Sequence, residues 1–174
     1  SIFPFLHKIF IKHQLQNNML TIETTIKNID TKAMPISFGF HPYFKRNAKN
    51  ATLHLPSEQT LLTDAQQIPN GKTISKEERW KFENDEIDLC DTLLDDGFTA
   101  LERKEENAIF KLNNIRLLFD KQYSFAQVYA PQYPGKPYVC IEPMTAPTNA
   151  LNTGGCTLLP AQAEYTAGFS IVLN

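Results

Sequence analysis

An imidazole set among aromatics, a carboxylate closing an apolar run and a pair of adjacent aspartates are the groups in this 174-residue chain best suited to moving protons or holding a polar ligand. His41 lies in Phe38-Gly39-Phe40-His41-Pro42-Tyr43-Phe44, with four aromatic rings within three residues of it. Partial desolvation there would tune the imidazole, and the same surroundings also suit a core histidine whose nitrogens are satisfied by backbone groups. Glu142 follows Tyr138-Val139-Cys140-Ile141 and precedes Pro143. Burial at that point would raise its pKa and make it a useful base, whereas a strand-end salt bridge would leave it structural. Asp95 and Asp96, in Leu94-Asp95-Asp96-Gly97-Phe98, fit hydroxyl binding and equally an ordinary turn.

One histidine and one buried glutamate suffice for a particular reaction. Opening a cyclic hemiacetal needs a base to take the proton of the anomeric hydroxyl and an acid to protonate the ring oxygen. A carboxylate and an imidazole on opposite sides of the sugar meet both demands. Tyr43, Phe44 and Tyr129 would offer apolar faces to the C–H side of a pyranose, and Asp95 and Asn149 would hydrogen-bond its hydroxyls. This chemistry requires no cofactor and no metal, so the expected partner is a small sugar.

The elements that must carry these groups read as strands. Leu20, Ile22, Thr24 and Ile26 alternate with Thr21, Glu23, Thr25 and Lys27, a period of two. His7 to Leu15 reads as the partner strand, with a turn at Gln16-Asn17-Asn18. Met34 to Phe40 is extended and ends at His41, which is therefore expected at a strand end. From about Pro56 to Asp91 turn residues and charge predict long loops with little regular structure, apart from a helical turn over Ser75 to Trp80, where Ser75 and Glu78 have capping-box spacing. Strands resume at Ala108 to Leu112, Ile115 to Phe119, Phe125 to Tyr129, Tyr138 to Ile141 and Tyr165 to Leu173, with a two-residue turn at Asn113-Asn114. The pattern predicts an all-β antiparallel sandwich or barrel-like fold, in one domain over residues 1–174.

Composition narrows the function classes. Lys and Arg number 17 against 19 Asp and Glu, with no long block of either sign, which points to neither nucleic acid nor an anionic membrane as partner. Cys90, Cys140 and Cys156 are spaced as neither a disulfide framework nor a metal knuckle, so a reducing, cytoplasmic setting is expected. No apolar run has the length of a membrane span, and the start lacks the layout of a signal peptide. The opening on Ser1 rather than Met is expected to mark a boundary set either by processing or by the choice of expressed segment.

Four segments of the chain resemble the aldose 1-epimerase (galactose mutarotase-like) family. Phe38 to Phe44 is similar to the family's Phe-His-Pro-Tyr-Phe run, which holds the general acid. Cys140 to Asn149 is similar to its Glu-Pro-Met-Thr-Ala-Pro segment, which holds the general base. Leu94 to Phe98 resembles the Asp-x-x-Phe element whose aspartate binds hydroxyls, and Phe-Ala-Gln-Val-Tyr, ending at Tyr129, resembles the strand before the base. The resemblance implies a mutarotase-like supersandwich in which Glu142 is the base, His41 the acid, and Asp95, Tyr43, Asn149 and Tyr129 bind a free aldose. It also implies that an N-terminal portion carrying a substrate-binding arginine and a second histidine is absent. The site would then be half built, with exposed strand edges open to self-association. Three other readings stay open: a non-catalytic carbohydrate-binding sandwich, a glycosidase using Asp95 and Glu142, and a hexose-phosphate epimerase, for which Arg46 alone is weak support.

Overall fold

The computed structural model describes residues 3–46, 51–90, 92–131 and 136–174. Among them the first half of the chain forms β1 (His7–Gln16), β2 (Met19–Asn28), β3 (Met34–Ile36), β4 (Tyr43–Lys45), β5 (Thr52–His54), β6 (Ser57–Thr63), β7 (Pro69–Ser75), the single-turn helix α1 (Lys76–Arg79) and β8 (Glu86–Asp88). The second half adds β9 (Leu94–Leu101), β10 (Ala108–Leu112), β11 (Ile115–Phe119), β12 (Phe125–Ala130), β13 (Tyr138–Met144), α2 (Ala150–Thr153), β14 (Thr157–Leu159) and β15 (Glu164–Leu173). A seven-stranded sheet runs β1-β2-β15-β11-β10-β5-β8, a six-stranded sheet runs β4-β13-β12-β9-β6-β7, and β14 pairs with β3. All pairings are antiparallel.

The alternation in the sequence explains which faces meet. Ile22, Thr24 and Ile26 of β2 are buried while Glu23 between them is exposed. Phe110, Leu117, Phe119 and Phe169 from the larger sheet share one core cluster with Phe44, Leu94, Phe98, Val128, Val139 and Ile141 from the smaller. The two sheets therefore pack face to face as a sandwich. The core side chains of β4, β9, β12 and β13 occupy alternate positions, so the intervening residues, His41's neighbour Tyr43 among them, point away from the core.

Two turns follow their residue types. Asn17 and Asn113 adopt left-handed backbone at the β1–β2 and β10–β11 turns, a conformation asparagine tolerates. Ser75 and Glu78 form the capping box that starts α1. The stretch from 56 to 90 departs from expectation: it contains β6, β7, α1 and β8 rather than long loops, and Asp91 lies outside the described residues. These strands are short and polar on one side, so their periodicity is diluted by turn residues. Met34 to Phe40 likewise is strand only over Met34–Ile36, with a further bridge at Gly39.

Asp96 is buried on the core side of β9, and its Oδ1 lies 2.8 Å from Arg79 Nη2 on α1. Burial pushes the carboxyl pKa up despite that neighbour. Arg79→Ala is expected to lower stability by about 1–3 kcal/mol at neutral pH, read from urea denaturation, because it strands a buried acid without its partner. In the larger sheet β1 is an edge strand among the described residues, and its Ile9, Phe10, Ile11 and Leu15 are each more than half exposed. No helix among the described residues is long and apolar enough to cross a membrane.

Candidate active site

The outward face of the six-stranded sheet assembles the candidate site by register. Tyr43 pairs with Cys140 in the β4–β13 ladder, and Gly39 bridges Met144 further along the same pair of chain segments. Continuing that register between them sets His41 directly across from Glu142. Three hydrogen bonds stitch the approach: Phe40 N donates to Pro143 O at 3.1 Å, Thr145 N to Phe38 O at 2.9 Å, and Phe38 N to Thr145 Oγ1 at 3.0 Å. Gly39 is required in this seam, since a Cβ there would lie 2.6 Å from the Pro143 carbonyl oxygen.

On the other side of β13, Gln127 of β12 is the register partner of Glu142, and Gly97 of β9 is the partner of Gln127. Two residues along β12, on the same face, Tyr129 lies opposite both Cys140 and Asp95. The face thus carries two rows of residues: His41, Glu142, Gln127 and Gly97 in the first, then Tyr43, Cys140, Tyr129 and Asp95 in the second. Gln127 Nε2 crosses from one row to the other and donates to Asp95 Oδ1 at 2.9 Å. Because Gly97 has no side chain, space is left beneath the Gln127 amide, where a Cβ would meet Gln127 Oε1 at 3.2 Å and Leu61 Cδ1 at 2.8 Å.

His41 Nε2 stands 3.1 Å from Glu142 Oε1. The imidazole is half exposed (51%) and stacks on Tyr43 at 4.8 Å between ring centroids, whereas the Glu142 side chain is only 12% exposed. Burial, reinforced by the negative charge of Asp95, pushes the Glu142 carboxyl up to about 7. Burial likewise raises the Cys140 thiol to about 12, again with a neighbouring carboxylate adding to the effect. A carboxyl titrating near neutrality is protonated or ionised with almost equal ease, which is what proton transfer in both directions requires.

That shift has a consequence for stability. The fold favours the neutral carboxyl, so its contribution is intact below the usual carboxylate pKa and is lost as pH rises through about 7. The wild-type protein is expected to lose up to about 3 kcal/mol between pH 4 and 8 relative to Glu142→Gln, measured as the difference of their denaturation curves.

A cleft of about 490 Å³ lies over this face. Of the residues singled out in the sequence, His41, Asp95, Tyr129 and Glu142 line it. Tyr43 and Asn149 do not: Tyr43 lies behind the imidazole, 62% exposed, and the Asn149 side chain accepts a hydrogen bond from Asn152 at the start of α2. The Leu94 to Phe98 string is strand β9 rather than a turn, which is why Asp95 and Asp96 point to opposite faces. His41 and Glu142, expected on opposite sides of a bound sugar, are cross-strand neighbours.

Sequence reasoning did not single out the far wall, built by Thr63 and Gln66 to Pro69 between β6 and β7, nor Gly97 or Thr148. The wall is ordered by Asp64, whose Oδ1 accepts from Gln66 N at 2.9 Å and Ile68 N at 3.0 Å, with Gln67 in left-handed backbone. An aspartate initiating a turn was the available signal. It falls before Pro69-Asn70-Gly71, where the turn residues are denser.

A family model described as aldose 1-epimerase matches residues 1–171. A comparison with curated proteins finds no match. Among solved structures, the Slr1438 protein of Synechocystis sp. PCC 6803 is 28% identical with a TM-score of 0.76, over 99% of this chain and 56% of that one. A galactose mutarotase-like protein from Clostridium acetobutylicum is 18% identical with a TM-score of 0.79, over 98% of this chain and 57% of its own. Galactose 1-epimerase from Lactobacillus acidophilus NCFM is 16% identical with a TM-score of 0.77, over 99% and 58%. The chain thus spans somewhat over half the length of these structures and shares their antiparallel, galactose mutarotase-like sandwich. Since the family model extends over nearly every residue and the fold agrees with it, the chain belongs to the aldose 1-epimerase family.

Proposed function

We propose that the protein of which these residues form the site interconverts the α and β anomers of a free, uncharged aldose. The observation that carries this reading is the 3.1 Å contact of His41 Nε2 with Glu142 Oε1 at the floor of a cleft that also holds Asp95. The anomeric hydroxyl and the ring oxygen are bonded to the same carbon, so an acid and a base side by side reach both. Glu142 takes the hydroxyl proton while His41 gives one to the ring oxygen. The ring opens, the bond between the first two carbons rotates, and closure on the other face returns both protons. Asp95, held by Gln127, accepts hydrogen bonds from sugar hydroxyls, and the Tyr129 ring offers an apolar surface.

The lining residues include no Lys or Arg among those described, which favours a neutral sugar over a phosphorylated one. A cytoplasmic setting belongs to the same proposal, as does association through the β1 edge.

The test follows the optical rotation of freshly dissolved α-glucose and α-galactose with the 174-residue chain and with the full natural gene product that contains it. Acceleration well above spontaneous mutarotation is expected of the latter. Sugar binding without any acceleration by either protein would favour the non-catalytic carbohydrate-binding sandwich instead.

A further inference from the structure

The same face carries a third reactive group that the proton transfers leave unused. A ring nitrogen of His41, Cys140 Sγ and a Glu142 carboxylate oxygen all lie within 4.8 Å of one another. The register accounts for this arrangement. His41 faces Glu142 across the seam, and Cys140 precedes Glu142 by two residues on β13, so it projects from the same side. Cys140 is in no disulfide.

An imidazole nitrogen, a thiolate and a carboxylate are the donors of a borderline-soft divalent ion of the zinc class, which binds them tetrahedrally at about 2.0–2.3 Å. Ligand atoms around such a centre sit roughly 3.5 Å apart. The three groups therefore need to close by only about an ångström. The strand holds Cys140 and Glu142 in place, and the half-exposed His41, backed by the exposed ring of Tyr43, has the freedom to make the adjustment. Two of the three donor residues, His41 and Glu142, line the cleft, and Cys140 is buried beside them. Asp95 adds negative charge nearby, while oxygen-seeking ions such as Mg²⁺ or Ca²⁺ find too few oxygens here.

We propose that His41, Cys140 and Glu142 form a binding site for Zn²⁺ or a similar thiophilic divalent cation, and that its occupation shuts off the site by engaging the acid and the base together. On binding, the thiol proton is released to solvent and the sulfur electron pair forms the metal bond. The inhibition rests on the epimerase reading; the binding does not.

Co²⁺ is the spectroscopic probe, titrated into the full chain in the presence of a non-thiol reductant. One ion per chain is expected, with a thiolate-to-cobalt charge-transfer band in the near ultraviolet that Zn²⁺ displaces. His41→Gln, at a half-exposed position that does not threaten the fold, is expected to weaken binding by about tenfold or more. Cys140→Ser is expected to abolish the band, with circular dichroism confirming the fold. Absence of the band at saturation, its persistence in Cys140→Ser, or unchanged affinity in His41→Gln would each overturn the site. Should Cys140→Ser misfold, the wild-type band and the His41→Gln affinity decide. A second readout separates the two ideas, because Zn²⁺ at one equivalent is expected to abolish any acceleration of mutarotation by the gene product. Thiolate-bound cobalt in a protein that never turns over sugar would keep the metal site and sink the epimerase reading. Turnover without a thiolate band would do the reverse.

Discussion

Glu142→Gln is expected to slow anomer interconversion by about 10²–10⁴-fold, the range over which a positioned acid or base contributes. The amide fills the same space beside His41 and under the cleft, so sugar affinity should change far less than turnover. Optical rotation at several sugar concentrations separates the two. The pH dependence adds a signature. Since burial raises the carboxyl to about 7, the wild-type rate should climb between pH 5 and 8 with an inflection near that value. The glutamine variant should lack the inflection. A Glu142→Gln protein that keeps the wild-type rate would place the base elsewhere, even with family membership intact.

His41→Asn is expected to cost on the order of 10²-fold or more in the same assay. Because the imidazole is 51% exposed and its main anchors are the Tyr43 ring and the Glu142 carboxylate, the variant should fold with little change in denaturation midpoint. Loss of rate with stability retained is therefore the expected pairing. It differs from a core histidine satisfied by backbone, whose replacement would strand buried polar atoms and destabilise the protein. Equal rates for His41→Asn and wild type would show that another group protonates the ring oxygen.

The two substitutions probe one contact from its two sides, and their effects should not add. Ring opening needs a proton taken from the hydroxyl and one given to the ring oxygen together, so losing either group already removes the paired transfer. The double variant is expected to be little slower than Glu142→Gln alone.

Local strings were enough to indicate much of this protein. Alternation through Leu20 to Lys27, the strands from Ala108 to Leu112 and Ile115 to Phe119, and the asparagine turns are properties of neighbouring residues, and the all-β class followed from them. The sequence also marked His41, Asp95 and Glu142, ionisable groups in apolar or rigid surroundings visible within a few residues, and Tyr129 as an aromatic face, and all four line the cleft. What the tertiary structure alone decided is how segments about a hundred residues apart are registered. A strand shifted by one residue turns every side chain to the other face, so only the pairing of Tyr43 with Cys140 and of Gly39 with Met144 brings His41 against Glu142. Tyr43 behind the imidazole and Asn149 bonded to Asn152 are local contacts, whereas the pairing of β6 with β9 brings the wall from Gln66 to Pro69 to the cleft out of a stretch that reads locally as loop. Local chemistry chose the reactive groups, and long-range strand pairing chose which of them meet.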